Sequence, residues 1–203
     1  MDIEKTIKSL ERNHFTVQYF ETAQEAAEYL NTKIDGKSVG FGDSITMKSM
    51  HLFECLSTHN TVFDPNQGSD NDEFLEIAKK CLTTEIFLTS VNAVSETGEM
   101  VNIDGTGNRV AGSLFGHEKV YFVVGTNKIA ESLEKAIWRA RNIAAPQNAM
   151  KYNLRTPCVV NGGGRCYDCN SPDRICNTMN IYMKKMDDID DVEVVLINEA
   201  LGY

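Results

Sequence analysis

Ser38-Val39-Gly40-Phe41-Gly42-Asp43-Ser44-Ile45-Thr46 decides how the chain is read. Ser38 to Gly42 reads as a buried strand. A polar loop follows, and Met47, Met50, Leu52 and Phe53 mark one helix beyond it. The same order of apolar strand, loop and amphipathic helix recurs on both sides. Upstream, Ile3, Ile7 and Leu10 share a helical face, and Thr16 to Phe20 is strand-like. Thr22 and Glu25 form a capping box that opens a helix bearing Ala26, Ala27 and Leu30, ended by Asp35-Gly36. Downstream, Thr61 to Asp64 reads as a strand, and Phe74, Ile77, Ala78 and Cys81 as a helix. Glu85 to Val91 is a strong strand.

Asn92 to Asp104 reads as strand, turn at Thr97-Gly98, and strand. Gly105 to Gly116 holds a glycine turn and a short helix, and Lys119 to Gly125 is a strongly apolar strand. Leu133, Ala136, Ile137, Ala140 and Ala144 define the clearest helix, with Pro146 expected to end it. A cysteine-bearing segment and a last strand, Val192 to Ile197, close the pattern. Strands alternating with helices predict an α/β fold with a twisted, mostly parallel sheet and flanking helices. One domain, 1–203, is expected, including a cysteine-rich metal or cluster segment at 152–178. No repeat or low-complexity tract interrupts it.

The chain has 203 residues, a formal net charge of -9 and 42% hydrophobic residues. Its acidity argues against nucleic acid and anionic membrane as partners, since both need a basic face. No apolar run approaches the roughly 20 residues that span a bilayer. Met1 to Lys5 lacks the apolar core of a signal peptide, so a cytoplasmic location is expected.

Three motifs carry chemistry. Cys158, Cys166, Cys169 and Cys176 fall in a C-x7-C-x2-C-x6-C pattern within a Gly-rich stretch that buries little apolar surface. Four thiolates suit an iron–sulfur cluster, with 4Fe-4S preferred, or a zinc ion as the alternative. Arg165, Arg174 and the N–H groups of Gly162, Gly163 and Gly164 offer positive charge to such a site; reduced cysteines or a redox disulfide are the plain reading. The first glycine loop, with Gly42, Asp43, Ser44 and Thr46, follows a strand and precedes a helix, where open α/β sheets place ligands. It is neither a dinucleotide fingerprint nor a P-loop; its plain reading is a tight turn with Ser44 capping a helix.

The second loop sets Asp104, Gly105, Gly107, Asn108 and Arg109 together. Arg109 can pair with a carboxylate or phosphate, or be held by Asp104 as a structural ion pair. Glu96, at a hairpin turn, is a weak catalytic candidate and reads first as a solvated residue. His14, His51, His59 and His117 show no ligand spacing. Met47 and Met50 read as core, and Asp187 to Asp191 as a solvated acidic loop.

Asn92-Ala93-Val94-Ser95-Glu96-Thr97-Gly98, Val101 to Ala111 and Val123-Val124-Gly125-Thr126-Asn127-Lys128-Ile129 together resemble the LUD, or lactate utilisation, family. The tail, with Thr156-Pro157-Cys158, Cys166-Tyr167-Asp168-Cys169 and Ser171 to Cys176, is similar to its short cysteine-bearing subgroup. The resemblance covers essentially the whole chain. It implies a fold like that of sugar-phosphate isomerases and CoA transferases, and a link to lactate or related 2-hydroxy-acid metabolism. It further implies that such chains accompany iron–sulfur proteins; with the cysteines and glycine loops above, the leading expectation is an iron–sulfur accessory or electron-transfer protein with a small anionic metabolite in its glycine loops. Iron–sulfur or flavin proteins would be its redox partners; homo-oligomerisation rests on analogy alone. The competing readings are a stand-alone isomerase or acyl/CoA-type enzyme with structural zinc, and a non-catalytic anion-binding scaffold. Ser95-Glu96-Thr97-Gly98 resembles the Ser-Glu-Asn-Gly of some CoA transferases, with Thr97 in place of Asn.

Overall fold

The computed structural model describes residues 1–162 and 164–203. The elements in chain order are α1 (Ile3–Arg12), β1 (Thr16–Phe20), α2 (Ala23–Lys33), β2 (Ser38–Phe41), α3 (Ile45–Ser49), α4 (Leu52–Leu56), β3 (Thr61–Phe63), α5 (Asn71–Cys81), β4 (Ile86–Thr89), β5 (Ala93–Ser95) and β6 (Met100–Asp104). There follow α6 (Asn108–Leu114), β7 (Lys119–Gly125), β8 (Ile129–Ala130), α7 (Leu133–Arg139), α8 (Ala145–Lys151), α9 (Pro157–Val160), β9 (Thr178–Tyr182) and β10 (Asp191–Ile197).

Six strands form one sheet in the order β1-β10-β7-β4-β2-β3. Every pairing in it is parallel. Its central strands are apolar on both faces, as a sheet covered by helices on both sides requires. Alternation sorts their side chains. Val39, Phe41, Leu88, Tyr121, Val123, Val195 and Ile197 pack with α2, α3 and α4. Phe87, Val120, Phe122, Val124, Val194 and Leu196 face the other way, against α1 and Cys81 of α5. The capping box that opens α2 forms as its sequence predicts, with Thr22 and Glu25 each bonding the other's backbone N–H.

A second sheet, in the order β8-β5-β6-β9, packs against α7 and the turn that follows it. The hairpin of β5 and β6 is antiparallel, as the Thr97-Gly98 turn predicts. Its outer strands β8 and β9 are additions to the sequence reading, and so is the sheet itself. β8 has two residues, too few to show a period. β9 pairs antiparallel with β6 along Thr178 to Tyr182, and that partner lies some 75 residues upstream.

Two helix readings need correction. The helix expected through Met47 to Phe53 is two helices, because His51 sits in left-handed backbone with φ 51°. Pro146 does not end the helix begun at Leu133. Residues Ala140–Ala144 form a π turn in which the Ala145 N–H donates to the Ala140 carbonyl, and α8 continues with Pro146 in its first turn. The wider π turn bonds Ala145 back to Ala140, so the missing N–H of Pro146 falls at the junction of the two ladders. The acidic run also differs from a solvated loop: Ile189 is fully buried, and Asp191 opens β10 bound to Lys119.

No helix among the described residues is long and apolar enough to cross a membrane.

Candidate functional site

All six strands of the large sheet run the same way, so their carboxyl ends share one edge. The segments leaving β2, β4, β7 and β10 converge there with the β6–α6 loop. They surround a cavity of about 720 Å³, within the roughly 300–1,000 Å³ range of small-molecule sites. Asp43, Ser44 and Thr46 line it from the first glycine loop, and Asp104, Gly105, Asn108 and Arg109 from the second. The two motifs thus lie 60 residues apart in the chain and face one space. Gly42 and Gly107 lie outside the lining. Gly42 sits where a Cβ would come within 2.9 Å of the Phe87 ring, so the first loop packs tightly on the sheet. Gly107, at φ 93°, supplies the left-handed residue before α6.

Lys128, which sequence reasoning quoted only within the family motif, forms the floor. It is 3% exposed. Its Nζ lies 3.0 Å from Thr46 Oγ1 and 2.9 Å from Ser90 Oγ. Both hydroxyl protons are already committed: Thr46 donates to the Leu201 carbonyl at 3.3 Å and Ser90 to the Val123 carbonyl at 2.6 Å. The hydroxyls are therefore acceptors from Nζ. Burial, and then the nearby Arg139 and Arg109 guanidinium groups, lower the Lys128 pKa to about 7. A lysine buried beside hydroxyls and cations, with no carboxylate bonded to it, was the signal to look for; Thr126-Asn127-Lys128 after an apolar strand gives it only weakly.

Arg109 is 18% exposed at its side chain. Nη1 donates to Asn102 Oδ1 at 3.3 Å and Nη2 to the Ile103 carbonyl. Asp104 Oδ1 lies 3.6 Å from Nη2, while Oδ2 accepts the Val110 N–H at 3.0 Å. These bonds fix the guanidinium plane and still leave N–H groups for a ligand. Behind the floor, Arg139 donates to the carbonyls of Asn127 and Asn92. Two guanidinium groups and a lysine whose charge is disfavoured therefore gather at the base of the cavity with one buried carboxylate, in a protein whose net charge is -9. The acidic groups Asp43 and Asp70 lie among the less buried lining residues.

Glu96 does not line the cavity. Its carboxylate accepts the Asp2 N–H at 2.9 Å and the Lys5 ammonium at 3.1 Å, and Lys5 holds its pKa below the usual carboxylate value. The residue pins the hairpin to the start of α1.

The cysteine segment flanks the cavity. Ile175 lines it, a Cβ on Gly105 would stand 2.7 Å from the Ile175 carbonyl, and the Asn177 N–H donates to Asp104. Cys158 is the second residue of α9, and Cys166, Cys169 and Cys176 lie on irregular backbone, all four partly buried free thiols. Arg141 lies 3.7 Å from Cys166 Sγ. Burial pushes the Cys176 thiol up, while Arg174 pulls it down. Among the described residues, however, no three His, Cys, Asp or Glu side chains are gathered closely enough to hold a metal ion. As arranged, the thiols do not fit a four-ligand site. Gly163, one of the three glycines expected to offer N–H groups there, lies outside the described residues.

Comparison with known proteins agrees with this architecture. A solved structure described as a DUF162 family protein from Deinococcus radiodurans aligns at a TM-score of 0.56, covering 96% of this chain and 95% of that one at 10% identity. That likeness is one of fold. Ribose 5 phosphate isomerase A from Neisseria gonorrhoeae aligns at a TM-score of 0.35 and 12% identity over 55% of this chain and 54% of that one. No curated protein matches significantly. The model of the LUD domain matches residues 3–197, nearly the whole α/β unit with both of its sheets, and the chain belongs to the LUD domain family.

Proposed function

We propose that this LUD-family chain binds a small carboxylate of lactate or related 2-hydroxy-acid metabolism and serves an oxidation system as an accessory protein. The observation that carries this reading is the cationic floor. Arg109 faces the cavity beside Lys128, Arg139 backs them, and an entering anion would offset the positive charge that lowers the Lys128 pKa. Thr46 and Ser90 hold the lysine, and Ser44 and Asn108 add polar groups at the wall. A cavity of this size takes a metabolite rather than a polymer.

The finer part of the proposal gives the cysteine segment an iron–sulfur cluster and an electron-transfer role. Four thiols within 19 residues and the guanidinium groups of Arg141 and Arg174 beside them support it. Such a site requires the segment to close from its present arrangement. When bound, a cluster would supply one-electron chemistry next to the cavity wall at Ile175.

Calorimetric titration with lactate, on wild type and Arg109→Gln, tests the anion reading. Binding weakened by at least about tenfold in the variant, a loss of about 1.4 kcal/mol, supports it. No heat of binding with either lactate or pyruvate refutes it. Iron and acid-labile sulfide measured after anaerobic purification, with Cys166→Ala/Cys169→Ala as control, decide the cluster.

A further inference from the structure

We propose that Lys128 is a nucleophile, and that the cavity accepts a small 2-oxo acid whose C2 carbonyl condenses with its Nζ to form an imine. This rests on the anion-binding reading above and names a substrate class for the same site.

The argument starts from the four positions around a tetrahedral nitrogen. One is the Cε bond. Two are N–H groups donated to Thr46 Oγ1 and Ser90 Oγ, whose own protons go to Leu201 and Val123. One position remains. In an ammonium it is a third N–H, and among the described residues no carboxylate bonds it. In a neutral amine it is the lone pair. Burial at 3% exposure beside two guanidinium groups favours the neutral form, and a desolvated lysine near other cations is the usual way an amine is activated for carbonyl chemistry.

The rest of the site suits the other end of a 2-oxo acid. Arg109 can take the carboxylate, which places the adjacent carbonyl carbon toward the floor. Leu201 and Gly202 pack against the lysine and the hydroxyl that holds it. Gly202, at φ 64°, comes so close that a Cβ there would lie 2.6 Å from Thr46 Oγ1 and 3.3 Å from Nζ. The amine is thereby shielded from bulk water, which would otherwise hydrolyse the product.

The step balances without any further reagent. The Nζ lone pair forms a bond to C2, and the carbonyl π pair moves to oxygen. The amine then gives up its two protons, which go to that oxygen. The C–O bond breaks, and water leaves behind a C=N bond. The reverse sequence returns the free amine.

The test treats full-length protein with pyruvate and cyanoborohydride, which reduces an imine to a stable secondary amine, and locates the product by peptide mass mapping. The expected result is one carboxyethyl group on Lys128, favoured over surface lysines by at least about tenfold. An ordinary lysine has roughly a thousandfold smaller neutral fraction near pH 7. Lys128→Met should lose that adduct, and lactate, which has a hydroxyl in place of the ketone, should compete with labelling without forming one. Pyruvate or lactate binding seen by calorimetry without labelling of Lys128 above the surface level would overturn the nucleophile and leave the anion site standing. Absence of both binding and labelling would overturn the two together.

Discussion

Replacing Lys128 with Met should make the protein more stable in mild acid, against the common rule that core substitutions destabilise. In the folded chain the ammonium pKa falls from 10.5 to about 7. At 1.36 kcal/mol per pH unit, keeping the group charged inside the fold costs about 5 kcal/mol. Methionine removes that cost and also the two hydrogen bonds to Thr46 and Ser90, about 1 kcal/mol each. The hydroxyls keep their bonds to Leu201 and Val123. The net gain at pH 6 is about 3 kcal/mol.

The sign then changes with pH. Between about 7 and 10.5 the unfolded chain holds a proton that the folded chain has released, so wild-type stability climbs as pH rises. The advantage of the variant should vanish near pH 9 and become a deficit of about 2 kcal/mol above pH 10. Urea unfolding of both proteins from pH 6 to 10, without added carboxylate, measures the difference directly. A variant less stable than wild type at pH 6, by an amount that does not change with pH, would mean the ammonium is matched by a partner and would refute the reasoning.

Other perturbations probe the frame around the site. Lys119→Met strands Glu193, 2% exposed and bonded to Lys119 at 2.6 Å, and should lower stability by about 3–5 kcal/mol in the same urea assay; a change under about 1 kcal/mol would show Glu193 to be hydrated. Gly112→Ala puts a Cβ 2.5 Å from the Phe87 ring and should cost about 1–3 kcal/mol. Gly107→Ala meets open space and bears only the strain of its φ of 93°, about 1–2 kcal/mol; a loss under about 1 kcal/mol for Gly112→Ala would contradict the packing at Phe87. His117 is buried, stacked on Phe87, and burial lowers its pKa below 6.5. The unfolded chain therefore takes up that proton first as pH falls, and wild type loses stability. His117→Phe should gain on wild type as pH falls below about 7, and a flat difference would count against a neutral buried imidazole.

The sequence reading and the structure part company in an orderly way. Strands buried on both faces announce themselves by composition, which is why Ser38 to Phe41, Ile86 to Thr89 and Lys119 to Gly125 were legible, and with them the parallel sheet. The two glycine loops stand out as candidate ligand turns because each leaves a strand with polar groups in a row. Their meeting at one cavity was not legible, since the second loop leaves β6 of the small sheet, and only the packing of that sheet at the carboxyl edge of the large one brings it opposite the loop after β2. The misplaced helix end shows a different limit. Proline forbids an ordinary helical ladder, but the π turn at Ala140–Ala144 changes the spacing that the rule assumes.

Lys128 shows the sharpest limit. A lysine in sequence reads as surface, because an isolated ammonium is almost never buried. What makes this one informative is the set of neighbours it lacks and the hydroxyls it has, contributed from residues 46 and 90 and covered from 201 and 202. No window of sequence contains that set. The part of the chain that folds could be read from periodicity; the part that reacts had to be read from contacts, because reactivity here comes from withholding the partners that local patterning would supply.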